Sequence, residues 1–209
     1  MKLFDVLNDK YIKSTVASIM NHPFINEMSY GTLSDEKFKY YLIQDDIYLK
    51  YYKEAASVIY KNTGNDDIKE LYEMIGMEEP EFHLKMLEMF KINKEDINDS
   101  MLNYTNYSYI NHLKRWSNEN DVKGMLAMFP CQWTYDLIAQ NTKINDDRFK
   151  FWFDFYKNER YHEITERYLS IMEKLDFGDL YLMIIRYGTM YELRYWDDAY
   201  YSKGDYISS

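Results

Sequence analysis

The stretch that decides the fold is DEKFKYYLIQDDIYLKYYKEAASVIYKN, residues 35–62. Ser34 precedes it as an N-cap residue, and Asp35 and Glu36 favour the positive end of a helix. The polar sequence TGNDD, residues 63–67, ends the helical pattern. A helix of this length is too long to be only a surface helix, so part of its circumference is expected to be buried.

The spacing of apolar residues is helical along almost the whole chain. Helices are predicted at 3–20, 67–91 with a kink at Pro80, 101–117, 121–141, 146–157, 159–174 and 178–200. The sequence has seven glycines and three prolines, which favours long regular elements with few tight turns. It shows no alternating strand pattern and no internal repeat. We therefore predict an all-α helical bundle that forms a single domain over residues 1–209.

Charge and composition exclude several classes of protein. The formal net charge of -10 argues against binding to nucleic acid, which needs a basic surface. No run of about 18 apolar residues predicts a membrane span. The amino-terminal sequence MKLFDVLNDKYIK does not have the pattern of a signal peptide, and a single cysteine cannot form an intramolecular disulfide. These features predict a cytoplasmic protein.

The single cysteine lies in AMFPCQWTYDLIA, residues 127–139. Pro130 lacks an N–H group and disturbs the helix at the carbonyl of Leu126, which can leave the Cys131 side chain accessible. Tyr135 follows four residues later and shares its helical face. Two interpretations stay open from these residues alone: Cys131 is a nucleophile, or it is a small buried core residue.

Two helices carry acidic residues among aromatic ones. Asp45 shares a face with Tyr48, whereas Asp46 points about 100° away. Glu192 follows Gly188 by about one turn, and a glycine within a helix often marks close packing or space for another group. An inward Glu192 with a raised pKa would suit general acid catalysis. The alternative for all three acids is that they are solvated.

The histidines offer a different hypothesis. ERYH at 159–162 has the Glu-x-x-His spacing of di-iron ligands in helical bundles, and one other Glu and His pair lies four residues apart. A metal oxidase would use Glu79, His83, Glu159 and His162. No histidine is distinguished by its flanking residues as an axial haem ligand.

Five segments, in this order, carry a resemblance to a known family: HPF, GTLSDEKFKYYLIQDDIYL, YSYINHL, PCQWTY and YELRYW. The chain resembles the TenA family, also called thiaminase II or aminopyrimidine aminohydrolase, in its cysteine-containing branch. The patterns QD-x-x-Y, PC-x-W-x-Y and YE-x-x-x-W are jointly specific. The resemblance implies a haem-oxygenase-like helical bundle that forms a homotetramer and carries no haem, metal or other cofactor.

The resemblance also implies a site and a reaction. Its catalytic residues would be Cys131 as nucleophile, Glu192 as acid–base group and Asp45 as the group that binds the ring edge; Tyr48, Tyr109, Tyr135 and Tyr156 would also contact the substrate. The substrate would be 4-amino-5-aminomethyl-2-methylpyrimidine, hydrolysed to the hydroxymethyl pyrimidine and ammonia, with thiamin as a candidate second substrate. A di-iron oxidase and a non-catalytic aminopyrimidine-binding protein remain as alternatives.

Overall fold

The computed structural model describes residues 1–75 and 78–201, with the side chains of residues 78–80 excluded. Its regular elements are α1 (Leu3–Leu7), α2 (Lys10–Met20), α3 (Pro23–Ser29), α4 (Asp35–Asn62), α5 (Asp66–Met74), α6 (Glu78–Met89), α7 (Tyr104–Glu119), α8 (Asp121–Asn141), α9 (Lys150–Tyr156), α10 (Glu159–Glu173) and α11 (Asp179–Tyr201), with short 3-10 helices at Lys94–Asp96 and Asp99–Met101. No strand occurs among the described residues. The predicted all-α fold is confirmed.

The long helix α4 has the bounds that the sequence predicts. The Ser34 hydroxyl accepts a hydrogen bond from the Lys37 backbone N–H at 3.4 Å, which satisfies one of the unpaired donors of the first turn. Phe38, Tyr41 and Ile59 are completely buried along its length. Helices α7, α8 and α11 pack against α4 and against each other, so these four helices form the centre of the molecule.

The hydrophobic core consists of two clusters. One contains Leu113, Leu126 and Ile184, and the other contains Phe24, Trp196 and other aromatic residues. Cys131 packs against both clusters. The thiol therefore lies where the two halves of the core meet.

Two predicted helices are each divided in the structure. The segment 3–20 breaks before Lys10, because the Asp9 carboxylate caps α2 by accepting from the N–H of Tyr11 at 3.1 Å. Arg186 of α11 holds that carboxylate with a hydrogen bond of 2.9 Å from its Nε. The predicted single helix 67–91 with a kink at Pro80 is also wrong, since Pro80 lies in the first turn of α6. A proline is tolerated there because its missing N–H would have no partner within the helix.

The other boundaries differ by a few residues. Helix α7 starts at Tyr104 rather than near 101, because the Asn103 side chain accepts from the Asn106 N–H at 2.7 Å. Helix α9 starts at Lys150 rather than near 146. Among the described residues, no helix combines the length and apolar character that crossing a membrane requires.

Candidate active site

The four central helices enclose one small cavity with about 170 Å³ of empty space. Its lining side chains come from every one of these helices and are Asp45 and Tyr48 of α4, Tyr109 of α7, Cys131 and Tyr135 of α8, and Glu192 and Tyr195 of α11. Cys131 is half-buried and the other six are buried. Residues far apart in the sequence thus meet in one aromatic pocket that holds a thiol and two carboxyl groups.

Close contact between α8 and α11 places Glu192 beside the thiol. Pro130 lies within α8, and a Cβ added at Gly188 of α11 would come within 2.7 Å of the Pro130 Cγ. Only a glycine allows α11 to approach the proline this closely. One turn further along α11, the Glu192 carboxyl group is hydrogen-bonded to Cys131. The prediction that Gly188 marks close packing is confirmed.

We expect Gly188→Ala to destabilise the protein by about 1 kcal/mol in net terms. Overpacking against the rigid proline ring costs about 1–3 kcal/mol, while alanine gains about 1 kcal/mol in helix propensity. Gly64→Ala is the control, because nothing lies within 4 Å of the added Cβ at that position. Urea unfolding of both variants measures the difference. Equal stability of the two would mean that the overpacking cost at Gly188 does not exceed the gain in helix propensity.

Glu192 has the environment of a carboxylic acid that stays protonated at neutral pH. It is 2% exposed, and the Tyr109 hydroxyl donates a hydrogen bond of 2.8 Å to its Oε1. Removal from water raises the pKa of Glu192 from 4.5 to about 8, although the hydrogen bond from Tyr109 opposes this effect. The nearby Asp45 carboxylate raises the pKa further, and the hydrogen bond with Cys131 lowers it. A protonated Glu192 can serve as a general acid.

Asp45 faces the pocket with a histidine behind it. It is 4% exposed, and its Oδ2 lies 3.2 Å from the Nδ1 of His83 in α6. The other ring nitrogen of His83 lies 3.6 Å from the Oδ1 of Asp46, which also forms an ion pair with Lys94. Neither aspartate is simply solvated, so that alternative is wrong for both. The His83 contact with Asp45 was not predicted, because it joins two helices across the fold.

Two buried phenol groups of the pocket have no aligned hydrogen-bond partner among the described residues, the hydroxyls of Tyr48 and Tyr195. Burial raises the pKa of both well above the ordinary value near 10, so both hydroxyls remain protonated donors. Both are therefore suited to donate a hydrogen bond to a ligand. Tyr195 was missed by the sequence analysis, although its spacing of three residues from Glu192 places the two on one helical face.

Tyr156 lies outside the set of lining residues. Its ring centroid is 4.9 Å from that of Tyr135, and it is 1% exposed. Trp152 also packs against Tyr135, with centroids 5.6 Å apart. Tyr156 therefore packs against Tyr135 in the wall of the pocket, and its contact with a substrate stays a prediction.

The residues of the metal hypothesis do not form one donor cluster in the part of the chain that the structure describes. His83 faces two aspartates, whereas the Nδ1 of His162 lies 2.9 Å from the Oδ2 of Asp136. The Glu79 side chain lies outside the described residues. No group of three or more His, Cys, Asp or Glu side chains suited to a metal ion occurs among the described residues, Glu159 included.

Together, the fold and the site define an all-α protein with an aromatic pocket that holds a thiol and two carboxyl groups. The model of the TENA/THI-4/PQQC family matches residues 10–177. The chain belongs to this family, as the motifs predict.

Comparisons with known proteins agree with this assignment. An aminopyrimidine aminohydrolase of Staphylococcus saprophyticus is 28% identical over 185 residues, which cover 83% of this chain and 80% of the relative. One from Bacillus subtilis is 24% identical over 202 residues, covering 88% and 84%. The chain is a hydrolase of this family.

Solved structures have the same fold. The TenA homologue of P. horikoshii superposes with a TM-score of 0.86 at 26% identity, covering 98% of this chain and all of that one. The TenA homologue of Pyrococcus furiosus gives a TM-score of 0.81 at 19% identity over 96% of this chain. The predicted TenA-type helical fold is confirmed.

Proposed function

We propose that this protein is an aminopyrimidine aminohydrolase of the thiaminase II type. It converts 4-amino-5-aminomethyl-2-methylpyrimidine and water to the 5-hydroxymethyl pyrimidine and ammonia. The observation that carries the proposal is the meeting of Cys131 and Glu192 in one small cavity that Asp45 also lines. The names of the S. saprophyticus and B. subtilis relatives support the substrate class.

The cavity leaves little free space for a substrate. Its empty space of about 170 Å³ includes space open to solvent, so the lining side chains must move to admit even one ring. A single pyrimidine with small substituents needs the smaller movement, whereas thiamin brings a second ring. Thiamin is therefore the poorer substrate of the two.

The first chemical step adds the thiol to the ring. Direct displacement at the methylene is difficult while the pyrimidine is aromatic. The Cys131 sulfur forms a bond to ring carbon C6, and Glu192 protonates ring nitrogen N1 and takes up the thiol proton. This covalent step replaces one high barrier with lower ones.

The adduct then expels the amine. Electrons of the 4-amino group and of the ring, no longer aromatic, form an exocyclic double bond at C5 as the bond from the methylene to the protonated amine of the substrate breaks and neutral ammonia leaves. Water adds its oxygen to that methylene and releases one proton to solvent, the C6–sulfur bond breaks, and the proton on N1 returns through Glu192 to Cys131. Aromaticity is restored and the enzyme is regenerated.

Asp45 and the tyrosines orient the ring for this chemistry. A carboxylate offers two acceptor oxygens, which match the planar edge formed by the 4-amino group and N3. Tyr48, Tyr109 and Tyr135 supply flat apolar surface on which a ring can stack, and their hydroxyls supply polar contacts.

Turnover of the two candidate substrates by the purified protein tests the proposal. We expect ammonia release from the aminomethyl pyrimidine with a kcat/KM at least about tenfold above that for thiamin cleavage. Binding of the hydroxymethyl pyrimidine without hydrolysis of either substrate would instead support the non-catalytic binding protein.

We also propose a homotetramer in the cytoplasm. The α7 and α11 surfaces expose several large side chains, namely Tyr104, Tyr107, Tyr187 and Met190. Aromatic residues and methionine are enriched at subunit contacts. Four chains of 25.5 kDa give a particle of about 100 kDa. Light scattering at micromolar concentration measures the mass, and a value for one chain would reject the tetramer.

A further inference from the structure

A buried imidazole stands between the carboxylates of two consecutive residues. His83 is 2% exposed, and its Nδ1 lies 3.2 Å from Asp45 while its Nε2 lies 3.6 Å from Asp46. Asp45 lines the candidate active site, whereas Asp46 and His83 line a second cavity on the other side, together with Lys94. The ring thus separates the substrate pocket from an outer cavity of about 480 Å³.

Both neighbours of the ring are carboxyl groups, at distances of 3.2 and 3.6 Å. An ionised carboxylate only accepts hydrogen bonds, whereas a neutral imidazole has one donor and one acceptor nitrogen. Only a ring with hydrogen on both nitrogens can donate to both aspartates. We propose that His83 is a positioning residue that bridges Asp45 and Asp46 as an imidazolium and holds the Asp45 carboxylate against the pyrimidine edge. This inference rests on the proposed function of the site.

The distribution of charge agrees with this role. No lysine or arginine is among the residues that line the candidate active site. From α4, Asp46, Lys50 and Lys53 line the outer cavity with His83, and Lys94 comes from the first 3-10 helix. Lys94 forms its ion pair with Asp46, so the cationic ring is left to balance Asp45. A buried carboxylate with no such counter-charge would be costly.

The contacts leave room for adjustment when a ligand binds. Asp45 Oδ2 and both His83 nitrogens are close to their partners but not aligned as hydrogen bonds. Hydrogen bonds of catalytic groups often tighten only in the complex with substrate. A pyrimidine held by Asp45 would draw the carboxylate and the ring into alignment.

The first test compares His83→Gln with His162→Gln. His162 also pairs with a buried aspartate, Asp136, at 2.9 Å, but it lies outside the candidate active site, so it is the matched control. We expect His83→Gln to weaken binding of the hydroxymethyl pyrimidine by at least about tenfold in calorimetry and to raise KM more than it lowers kcat. His162→Gln should stay within about threefold. Wild-type affinity in folded His83→Gln would overturn the proposal.

A second readout does not depend on turnover. The ¹⁵N chemical shifts of the His83 ring report whether both ring nitrogens carry hydrogen. The signals are assigned by their absence in His83→Gln, or by elimination among the four histidines. Hydrogen on both ring nitrogens supports the proposed bridge, and a neutral ring overturns it. Asp46→Asn, which removes the outer negative charge and keeps one carbonyl acceptor, should weaken binding in the same direction but less. Unchanged binding in Asp46→Asn with a neutral ring rejects the bridge even where His83→Gln fails to fold.

The two tests separate this inference from the proposed function. If the wild-type protein neither binds nor hydrolyses the aminopyrimidine, the proposed function is rejected, whatever the protonation state of the His83 ring. If it does both but the His83 ring is neutral, the proposed function is supported and the proposed bridge is rejected.

Discussion

Cys131→Ala will bind the hydroxymethyl pyrimidine but will hydrolyse the aminomethyl pyrimidine with a kcat reduced at least about a thousandfold. The physical reason is that C6 receives no nucleophile, so the ring stays aromatic and the methylene keeps its amine. The cavity loses only one sulfur atom, and its Asp45 and tyrosine contacts with a ring remain. Steady-state kinetics and calorimetry on the same preparation measure the two effects.

Cys131→Ser is the control for shape at this position. A hydroxyl fills nearly the same space as the thiol, but an alkoxide is much harder to form than a thiolate, so this variant should also be nearly inactive. The chain has no other cysteine to substitute for the thiol. Turnover near the wild-type rate in Cys131→Ala would refute covalent catalysis by this residue.

The long helices could be predicted because their limits are set locally. Helix α8 runs over 121–141, as the apolar spacing predicts, with Asn120 accepting hydrogen bonds from the N–H groups of Val122 and Lys123. The break between α1 and α2 has a local signal that was missed, since Asp9 is an N-cap residue that accepts from the N–H groups of Tyr11 and Ile12. The contact of Asp9 with Arg186, near the opposite end of the chain, has no signature within a local window.

The position of the acids could not be predicted from helix patterns. Helix α4 buries residues on more than one side, including both Gln44 and Asp45, so periodicity does not distinguish an inward acid from an outward one. The resemblance to the TenA family predicted six of the seven residues that line the candidate active site. It did not predict Tyr195, and His83 was considered only as a metal ligand. The role of His83 depends on contacts with another helix, whereas Tyr195 follows Glu192 by three residues in the same helix, a spacing that could have identified it.

Glu192→Gln will lose activity by about 10²–10⁴-fold, the usual contribution of a general acid. Glutamine keeps the shape of the protonated acid and can still accept the hydrogen bond from Tyr109, but it has no acidic proton for N1. In the wild type the acidic proton is present below the pKa of about 8, so kcat/KM should fall as the pH rises through that value. Wild-type turnover in Glu192→Gln would exclude Glu192 as the acid.

The raised pKa of Glu192 also predicts that Glu192→Gln is more stable than the wild type at high pH. The Glu192 carboxyl group ionises near pH 4.5 in the unfolded chain but near pH 8 in the folded protein. Between these values the unfolded chain binds fewer protons, so the wild-type free energy of unfolding falls as the pH rises and levels off above about 8. Glu192→Gln has no ionisable group at this position, so its free energy of unfolding does not decrease in this way. Its Tm should therefore exceed that of the wild type by more at pH 8.5 than at pH 4.5, where both side chains are neutral in the folded state.

Glu163→Gln is the matched control for this comparison, because Glu163 is exposed on α10 and the substitution removes the same formal charge. Its Tm difference from the wild type should be small and nearly independent of pH. A pH-independent Tm difference for Glu192→Gln would mean that the buried carboxyl group ionises in the folded protein as readily as in the unfolded chain. In that event Glu192 would already be charged at neutral pH and could not donate the proton that addition of Cys131 to the ring requires.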